Sequence, residues 1–303
     1  MYDTIIIGAG PAGMTAGIYA ARREMKTLII GKETGGQMIW AHEIENYPGF
    51  KKISAFELIQ NFKDQTLSFG VEMKEAEVKK IEKTEKNTFL VHFGSEIVEG
   101  RTIIIAMGLS PRRLAIKGEE EFNGKGVSYC ANCDGPFFRN KKIAVVGSGN
   151  SAFDAAEVLS KIASEVYLMI RNEESIKAFD SLVKEVKSRD NIKVMMNSEI
   201  KEIVGDSGVK KIICANIKEN NEFIIDVDGV FVEIGRIANT DLVADFVERL
   251  SNGQIITNSR CETKTAGIFA AGDVSNLSEF KQISIASGQA TIAALSAYQY
   301  LQA

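Results

Sequence analysis

The chain has 303 residues, 45% of them hydrophobic and 25% charged, with a formal net charge of −4. This length and composition predict globular domains with a substantial core, and the interleaved charges lack the basic stripe that nucleic-acid binding needs. No apolar run approaches the roughly 20 residues that cross a bilayer, and no secretory signal is evident, so we expect a cytoplasmic protein without a membrane or nucleic-acid partner.

A strand, a glycine-rich loop and a helix are predicted at the start of the chain. The loop, Gly8-Ala9-Gly10-Pro11-Ala12-Gly13, lies between the apolar run Thr4 to Ile7 and a helical stretch, Met14 to Arg23, which a second strand, Thr27 to Ile30, follows. In such a loop the glycines permit a tight turn, close approach of a pyrophosphate and close packing of helix on strand. Backbone N–H groups at the helix start then hold the phosphates. The pattern predicts a dinucleotide site whose contacts are Gly8, Gly10, Pro11, Ala12 and Gly13.

Two cysteines follow at redox-motif spacing, Cys130 and Cys133, with Asp134 next to them. In a compartment that keeps thiols reduced, such a pair is more often catalytic or metal-binding than structural. A zinc site needs about four ligands, and the other candidates have no ligand spacing, so no metal is expected. A pair that only fills space is the remaining alternative. The other candidates, of which the two cysteines are interpreted as buried packing residues, are Cys214, Cys261, His42 and His92.

The strand, loop, helix and strand unit occurs a second time. Its strands are Lys142 to Val146 and Glu165 to Ile170, and its helix runs from Phe153 to about Ile162. Two copies predict an α/β fold of two Rossmann-like three-layer (β/β/α) nucleotide-binding domains, the second inserted in the first. The contacts expected from the second loop are Gly147, Gly149, Asn150, Ser151 and Ala152.

The C-terminal part of the chain predicts a short strand that ends at Gly272 and Asp273, and then a helix from Gln282 to about Leu301. An acid at this position fits a ribityl or ribose hydroxyl, and a helix cap is the alternative. If this segment completes the first domain, the domains are 1–113 with 241–303, and 114–240 as the insertion.

These motifs and their order resemble those of low-molecular-weight thioredoxin reductases over nearly the whole chain. The resemblance implies a homodimer that binds FAD in the outer domain and reduces a thioredoxin-like protein. The residues that carry it, besides the two glycine loops, are Gly35-Gly36-Gln37, Glu45-Asn46-Tyr47-Pro48-Gly49, Ala106-Met107-Gly108, Cys130-Ala131-Asn132-Cys133-Asp134-Gly135 and Gly272-Asp273-Val274.

The resemblance also implies individual roles. Cys133 is expected to face the flavin, Cys130 to attack the protein substrate, and Asp134 to act as general acid or base, with its pKa raised by desolvation. Trp40 is expected to flank the flavin or to pack. The expected FAD contacts are Gly8, Gly10 and Gly13 at the pyrophosphate, Gly36, Gln37 and Asn46 near the flavin, Gly272 and Asp273 at the ribityl chain, Gln282 at the pyrimidine edge, and Glu33, as the nearest acid after the second strand, at the adenosine ribose.

The chain departs from the family pattern where the electron donor is expected to bind. NADPH-using members carry His-Arg-Arg-x-x-x-Arg after the second strand of the inserted domain, because a 2′-phosphate needs several cationic donors. Here Arg171 remains, Lys177 is offset by one position, and two acids lie between them. NADH would need an acid at the strand end, and Glu173 comes one step late. The donor stays open among NADH, NADPH and ferredoxin.

Other functions use similar motifs. A reductase of a peroxiredoxin system often carries an extra N-terminal redox domain, which this sequence does not show. A flavin-based redox sensor or binding module would turn over slowly. A ferredoxin–nicotinamide oxidoreductase of similar fold does not need Cys130 and Cys133. The main hypothesis is an FAD-dependent thioredoxin-disulfide reductase.

Overall fold

A computed structural model describes residues 1–41 and 43–303, so His42 lies outside the described residues, as does the side chain of Trp40. The chain divides into two compact units. The crossings between them lie at 110/111 and 236/237, rather than after 113 and 240. Unit 1 comprises Met1–Trp40, Ile44–Ser110 and Ile237–Ala303, and unit 2 comprises Ala41–Glu43 and Pro111–Arg236.

The secondary structure alternates strands and helices along both units. The strands are β1 (Tyr2–Ala9), β2 (Thr27–Thr34), β3 (Glu43–Ile44), β4 (Ile53–Ser54), β5 (Glu72–Glu75), β6 (Val78–Lys83), β7 (Phe89–Phe93), β8 (Glu96–Ile105), β9 (Ser110–Pro111), β10 (Val127–Ser128), β11 (Lys142–Val146), β12 (Glu165–Ile170), β13 (Ile192–Met196), β14 (Ser198–Gly205), β15 (Val209–Asn216), β16 (Asn221–Asp226), β17 (Gly229–Val232), β18 (Arg236–Ile237) and β19 (Ile268–Ala270). The helices are α1 (Pro11–Ala21), α2 (Ala55–Ser68), α3 (Ala131–Asp134), α4 (Asn150–Ser160), α5 (Asp180–Lys187) and α6 (Ile283–Gln302), with short 3-10 turns at Gly36–Trp40, Gly135–Phe138, Glu173–Ser175 and Asp241–Val243.

Unit 1 is built on a parallel sheet in the order β5-β2-β1-β8, with β19 also paired to β8. The long strand β8 pairs antiparallel with β7 along its first half and parallel with β1 along its second. Successive residues of β1 point to opposite faces. Ile5 packs in one buried cluster with Phe89 and Val91 of β7, and Ile6 packs in another with alanines of α1 and α6. The parallel sheet therefore lies between an antiparallel layer and a helical layer.

Helices α1 and α6 pack through small residues. Ala12, Ala16 and Ala20 of α1 share a buried cluster with Ala290 and Ala294 of α6. Helix α1 begins at Pro11, three positions before the predicted start, because proline is pre-organised for the first helical position. Among the described residues, no helix is both long and apolar enough to cross a membrane.

Unit 2 repeats the three-layer arrangement. Its parallel sheet runs β10-β17-β11-β12-β13, and β14, β15 and β16 form a separate antiparallel sheet. Val145 of β11 packs with Phe153 of α4, whereas the neighbouring Ala144 packs with Ile203 and Ile212 of the antiparallel sheet. The helices thus cover one face of the parallel sheet and the antiparallel strands cover the other.

Candidate functional site

The first glycine loop joins β1 to the start of α1. Gly8 has φ +114°, and a Cβ added there would collide with the carbonyl oxygen of Ala106. A Cβ at Gly13 would collide with the carbonyl of Gly8, so the helix packs directly on the strand. Gly10 caps α1 without any side-chain hydrogen bond. The first N–H groups of a helix have no partner within it, and here they are aimed from a loop of bare backbone, which suits a phosphate.

Two amide pairs connect residues from opposite ends of unit 1. The Gln37 amide donates to the Asp273 carboxylate, Nε2 to Oδ2 3.0 Å, and the Asn46 amide donates to the Gln282 side chain, Nδ2 to Oε1 3.1 Å. Asp273 is therefore not a helix cap, whereas Gln282 is the residue that immediately precedes α6. All four side chains were expected to contact one cofactor, and the structure brings them together as two pairs.

The loop after β19 is held by two buried glutamines that the sequence patterns did not predict. Gln289 of α6 accepts a hydrogen bond from the Gly272 N–H, 2.9 Å, and Gln254 donates to the carbonyls of Asp273 and Ser275, 2.9 and 2.8 Å. Gln289 could have been noticed, because it lies on the alanine face of α6. Gln254 gave no such signal.

Glu33 lies in a different place from the one expected. It was taken as the first acid beyond the second strand, but β2 continues to Thr34, which pairs with Ala9 beyond a shift in register. Glu33 is thus an exposed residue within β2.

The two motif cysteines form a disulfide in unit 2, with Cα atoms 5.3 Å apart. Cys130 is the N-cap of the short helix α3, which contains Cys133 and ends at Asp134. Ser128, which no sequence motif indicated, links these residues. Its hydroxyl donates to the Asp134 carboxylate, 2.6 Å, and accepts from the Cys130 N–H, 3.1 Å. The dithiol and its neighbouring acid therefore share one serine hydroxyl.

A buried carboxylate supports the strand that leads to the dithiol. Glu119 is only 3% exposed. It accepts hydrogen bonds from the Tyr129 hydroxyl, 2.9 Å, and from the N–H groups of Leu114 and Ala115, 2.9 and 2.7 Å. Burial and the Glu119 bond raise the pKa of Tyr129. Arg113 donates to the same hydroxyl, 2.9 Å, so the residue before Cys130 is fixed at both faces of its phenol oxygen.

The second glycine loop has the same geometry as the first. Gly147 has φ +149°, and a Cβ there would collide with the Glu233 carbonyl oxygen. Helix α4 begins at Asn150 rather than at Phe153, and Gly149 caps it without a side-chain hydrogen bond.

The three predicted contacts after Gly149 form the first turn of α4. Asn150 accepts from the Phe179 N–H, 2.9 Å, Ser151 is exposed and Ala152 is buried. The Asn150 oxygen thus ties the start of α4 to the start of α5.

Arg171, at the end of β12, is paired with an acid. Both its Nε and its Nη2 lie 3.1 Å from Oε2 of Glu199, the second residue of β14. Lys201 also bonds Glu199, and these two bases lower the pKa of Glu199. Asn172 accepts from the Ser175 N–H, 2.8 Å. The cation expected to hold the adenosine end of a nucleotide therefore has a carboxylate beside it.

The remaining cysteines are both free and buried. Burial raises the pKa of each of the thiols of Cys214 and Cys261 to about 12, so neither is a nucleophile near neutral pH. Over 1–41 and 43–303, no group of three or more His, Cys, Asp or Glu side chains is arranged to hold a metal ion.

The family model for pyridine nucleotide-disulphide oxidoreductases matches residues 2–290. The chain belongs to this family. The oxidoreductase is 37% identical to a thioredoxin reductase of Treponema pallidum over 99% of this chain and 97% of that protein. It is also 36% identical to a protein of the alkyl hydroperoxide reductase of Staphylococcus aureus, over 99% of this chain but 59% of that longer protein.

A solved structure agrees with these relationships. The thioredoxin reductase of Streptococcus pyogenes superposes on the oxidoreductase with a TM-score of 0.90 at 38% identity, covering 100% of this chain and 98% of that one. The resemblance to low-molecular-weight thioredoxin reductases and the two-domain Rossmann-like α/β fold are thereby confirmed. The prediction that the chain is a flavoprotein oxidoreductase is confirmed as well.

Proposed function

We propose that this oxidoreductase passes two electrons from a nicotinamide nucleotide, through FAD and the Cys130–Cys133 pair, to the disulfide of a thioredoxin-like protein. The observation that carries the proposal is the Cys130–Cys133 disulfide at the start of α3, beside an acid held by Ser128. Relatives named thioredoxin reductase that align over almost the whole chain support the choice of substrate.

The residues of unit 1 fit FAD. The uncapped start of α1 offers backbone N–H groups to a pyrophosphate, and the Gln37–Asp273 and Asn46–Gln282 pairs offer amide and carboxylate groups to polar edges of the cofactor. FAD, when bound, supplies the two-electron chemistry that the chain's own side chains lack. The role of the four side chains is to bind and orient the cofactor.

The dithiol performs the exchange with the protein substrate. The Cys130 thiolate attacks one sulfur of the partner's disulfide, forms a mixed disulfide and expels the other sulfur as a thiolate, which takes up a proton. Cys133 then attacks the Cys130 sulfur, re-forms the internal disulfide and releases the second partner thiol. We assign the proton for the expelled thiolate to Asp134, because the Ser128 hydroxyl holds that carboxyl within the same one-turn helix.

For the electron donor we propose NADH. The start of α4 resembles the start of α1, so unit 2 fits a nucleotide pyrophosphate. Beyond it, Glu199 balances Arg171, and Glu173 and Glu174 form a 3-10 turn directly after β12. A 2′-phosphate carries up to about two negative charges and needs several unbalanced cations. The charges at this end of β12 favour a nucleotide that lacks it.

One parallel experiment tests the proposal. The purified flavoprotein is mixed anaerobically with NADH, NADPH or reduced ferredoxin, and oxidised thioredoxin is then added while flavin absorbance is followed. We expect fast reduction by NADH and fast reoxidation by thioredoxin, with Cys130→Ser and Cys133→Ser each abolishing the reoxidation. Reduction by ferredoxin alone would overturn the nicotinamide donor.

The same experiment separates the remaining functions. Reoxidation by a peroxiredoxin-type partner and not by thioredoxin would favour the role of the alkyl hydroperoxide reductase relative, and binding of thioredoxin without turnover would favour a sensor. Light scattering of the same sample tests the homodimer that the family resemblance implies.

A further inference from the structure

The segment that follows β17 contacts the backbone on both sides of Cys130. Arg236 donates from Nη2 to the carbonyl oxygen of Tyr129, 2.6 Å, and the Glu233 carboxylate takes a backbone hydrogen bond from Ala131. Tyr129 and Ala131 are the two chain neighbours of Cys130. A cation and an anion three positions apart thus hold the peptide units before and after this cysteine.

The same glutamate belongs to the second glycine loop. Its N–H donates to the Val146 carbonyl at the end of β11, 2.8 Å, and its own carbonyl is the group with which a Cβ at Gly147 would collide. Glu233 is therefore fixed by backbone contacts on one side and reaches the dithiol helix with its side chain on the other.

The surroundings of the Glu233 carboxyl favour its protonated form. Burial raises its pKa to about 7, and Asp154 of α4 raises it further, while Arg236 and the Ala131 bond oppose these effects. Asp154 and Arg236 are the charged groups that face it from the packed elements. This value belongs to the state with a neutral Cys130–Cys133 disulfide.

Reduction of the disulfide places a new negative charge near this carboxyl. A thiolate on Cys130, the neighbour of Ala131, disfavours a second anion at Glu233, because like charges a few ångströms apart repel strongly in a partly buried site. Glu233 is then expected to hold its proton to a higher pH in the reduced enzyme than in the oxidised one.

We propose that Glu233 is a positioning residue that couples reduction of the Cys130–Cys133 disulfide to uptake of a proton. The inference rests on the proposed function only in taking this pair as redox-active. In the coupled step, the disulfide, two electrons and two protons give one thiol, one thiolate and a protonated Glu233. Reduced FAD supplies the electron pair in the enzyme, and dithiothreitol supplies it in the test. Without Glu233, the same pair gives one thiol and one thiolate with one proton.

The test measures the equilibrium between the holoenzyme's disulfide and dithiothreitol from pH 7 to pH 8.5, with alkylation and mass spectrometry to count reduced cysteines. Dithiothreitol releases two protons as it is oxidised. If the enzyme takes up both, the equilibrium constant is nearly independent of pH. If the enzyme takes up one, the constant rises about tenfold per pH unit, since one proton is then released.

We expect the wild type to change less than about threefold per pH unit and Glu233→Gln to change about tenfold, with Glu233→Asp restoring part of the wild-type behaviour. Glu222→Gln, at an exposed position of β16, is the matched control and should follow the wild type. Parallel profiles for wild type and Glu233→Gln would overturn the proposal.

The wild-type profile is decisive alone, since a tenfold rise per pH unit there would overturn the proposal even if Glu233→Gln did not fold. The measurement uses neither nucleotide nor thioredoxin. Its failure leaves the proposed disulfide reductase intact, whereas failure of the thioredoxin assay leaves this equilibrium unchanged.

Discussion

The Gln37 side chain donates a hydrogen bond of 3.0 Å to Asp273, a residue 236 positions later in the chain. Asn46 and Gln282 are separated by the same 236 positions and are also hydrogen-bonded. The intervening sequence includes all of unit 2 apart from Ala41–Glu43. Both pairs thus join the early and late segments of unit 1, and the cofactor contacts proposed above depend on that junction.

Replacement of Asp273 by alanine should weaken FAD binding about tenfold or more. The change removes the acceptor of the Gln37 bond, and a hydrogen bond to a charged group contributes about 1.5 to 3 kcal/mol. The measurement is the Kd of FAD from flavin fluorescence during reconstitution. Asp245→Ala, at an exposed position of unit 1, is the control. Equal affinity in Asp273→Ala and wild type would remove Asp273 from the site.

Replacement of Ser128 by alanine should slow thiol–disulfide exchange about tenfold at pH 7. The Asp134 carboxyl loses its 2.6 Å bond, and a displaced general acid transfers its proton less efficiently. Stopped-flow reoxidation by thioredoxin as a function of pH gives the rate. Ser128→Thr keeps the hydroxyl and should retain most of it. If the alanine and threonine variants slow equally, the hydroxyl has no such role.

Replacement of Glu199 by glutamine should raise the ratio of kcat/KM for NADPH over NADH about tenfold. The exposed pair itself contributes only about 0 to 1 kcal/mol, so the main effect is loss of a negative charge beside Arg171. Adding Asn172→Arg and Ile176→Arg should increase the ratio further. Glu219→Gln, exposed between β15 and β16, is the control. An unchanged ratio in every variant would contradict a nucleotide at this end of β12.

Stability should fall as the pH rises from about 4.5 to about 7, in part because of Glu233. Its pKa is raised in the folded protein to about 7 from the ordinary 4.5, so the folded state binds more protons than the unfolded state in this window. The protonated form is present in both states below pH 4.5, and the penalty is complete above pH 7.

Glu233→Gln removes this penalty. Urea unfolding should show equal stability of wild type and variant near pH 4.5, and a variant more stable by roughly 1 to 3 kcal/mol at pH 8. A difference that does not vary with pH would assign the effect to packing instead.

Replacement of Glu119 by alanine should destabilise the protein by about 3 kcal/mol. The Tyr129 hydroxyl and the N–H groups of Leu114 and Ala115 would lose their shared acceptor in a buried place. Urea unfolding measures the loss, and Glu120→Ala, an exposed neighbour, is the control. Similar stability of the two variants would show that water replaces the carboxylate.

Local sequence patterns were sufficient for the framework. Strand β12 was predicted with its observed ends, because a continuous apolar run is typical of a parallel strand buried on both faces. The starts of α1 and α4 were placed three residues late, since the predictions began after the loop motifs rather than after their last cap glycine. The family, the fold and the enzyme class were confirmed; the individual site residues stay predictions.

The contacts around the site could not be predicted in the same way. The Arg171–Glu199 pair joins β12 to a strand 28 positions later, and Gln254 reaches the loop after β19. Such contacts depend on how strands of different sheets meet, which neither periodicity nor spacing records. Glu33 was misplaced for a related reason, because β2 extends only through its pairing with Ala9.

The split of unit 1 has a consequence for biosynthesis. Strand β19, the Asp273 loop and α6 all follow the Pro111–Arg236 segment in the chain. A ribosome, which makes about 5 to 20 residues per second, therefore completes that segment before it makes the last strand and helix of unit 1. The nascent outer unit spends this interval with one edge of β8 and the alanine face of α1 uncovered, and these are the surfaces that a chaperone would meet first.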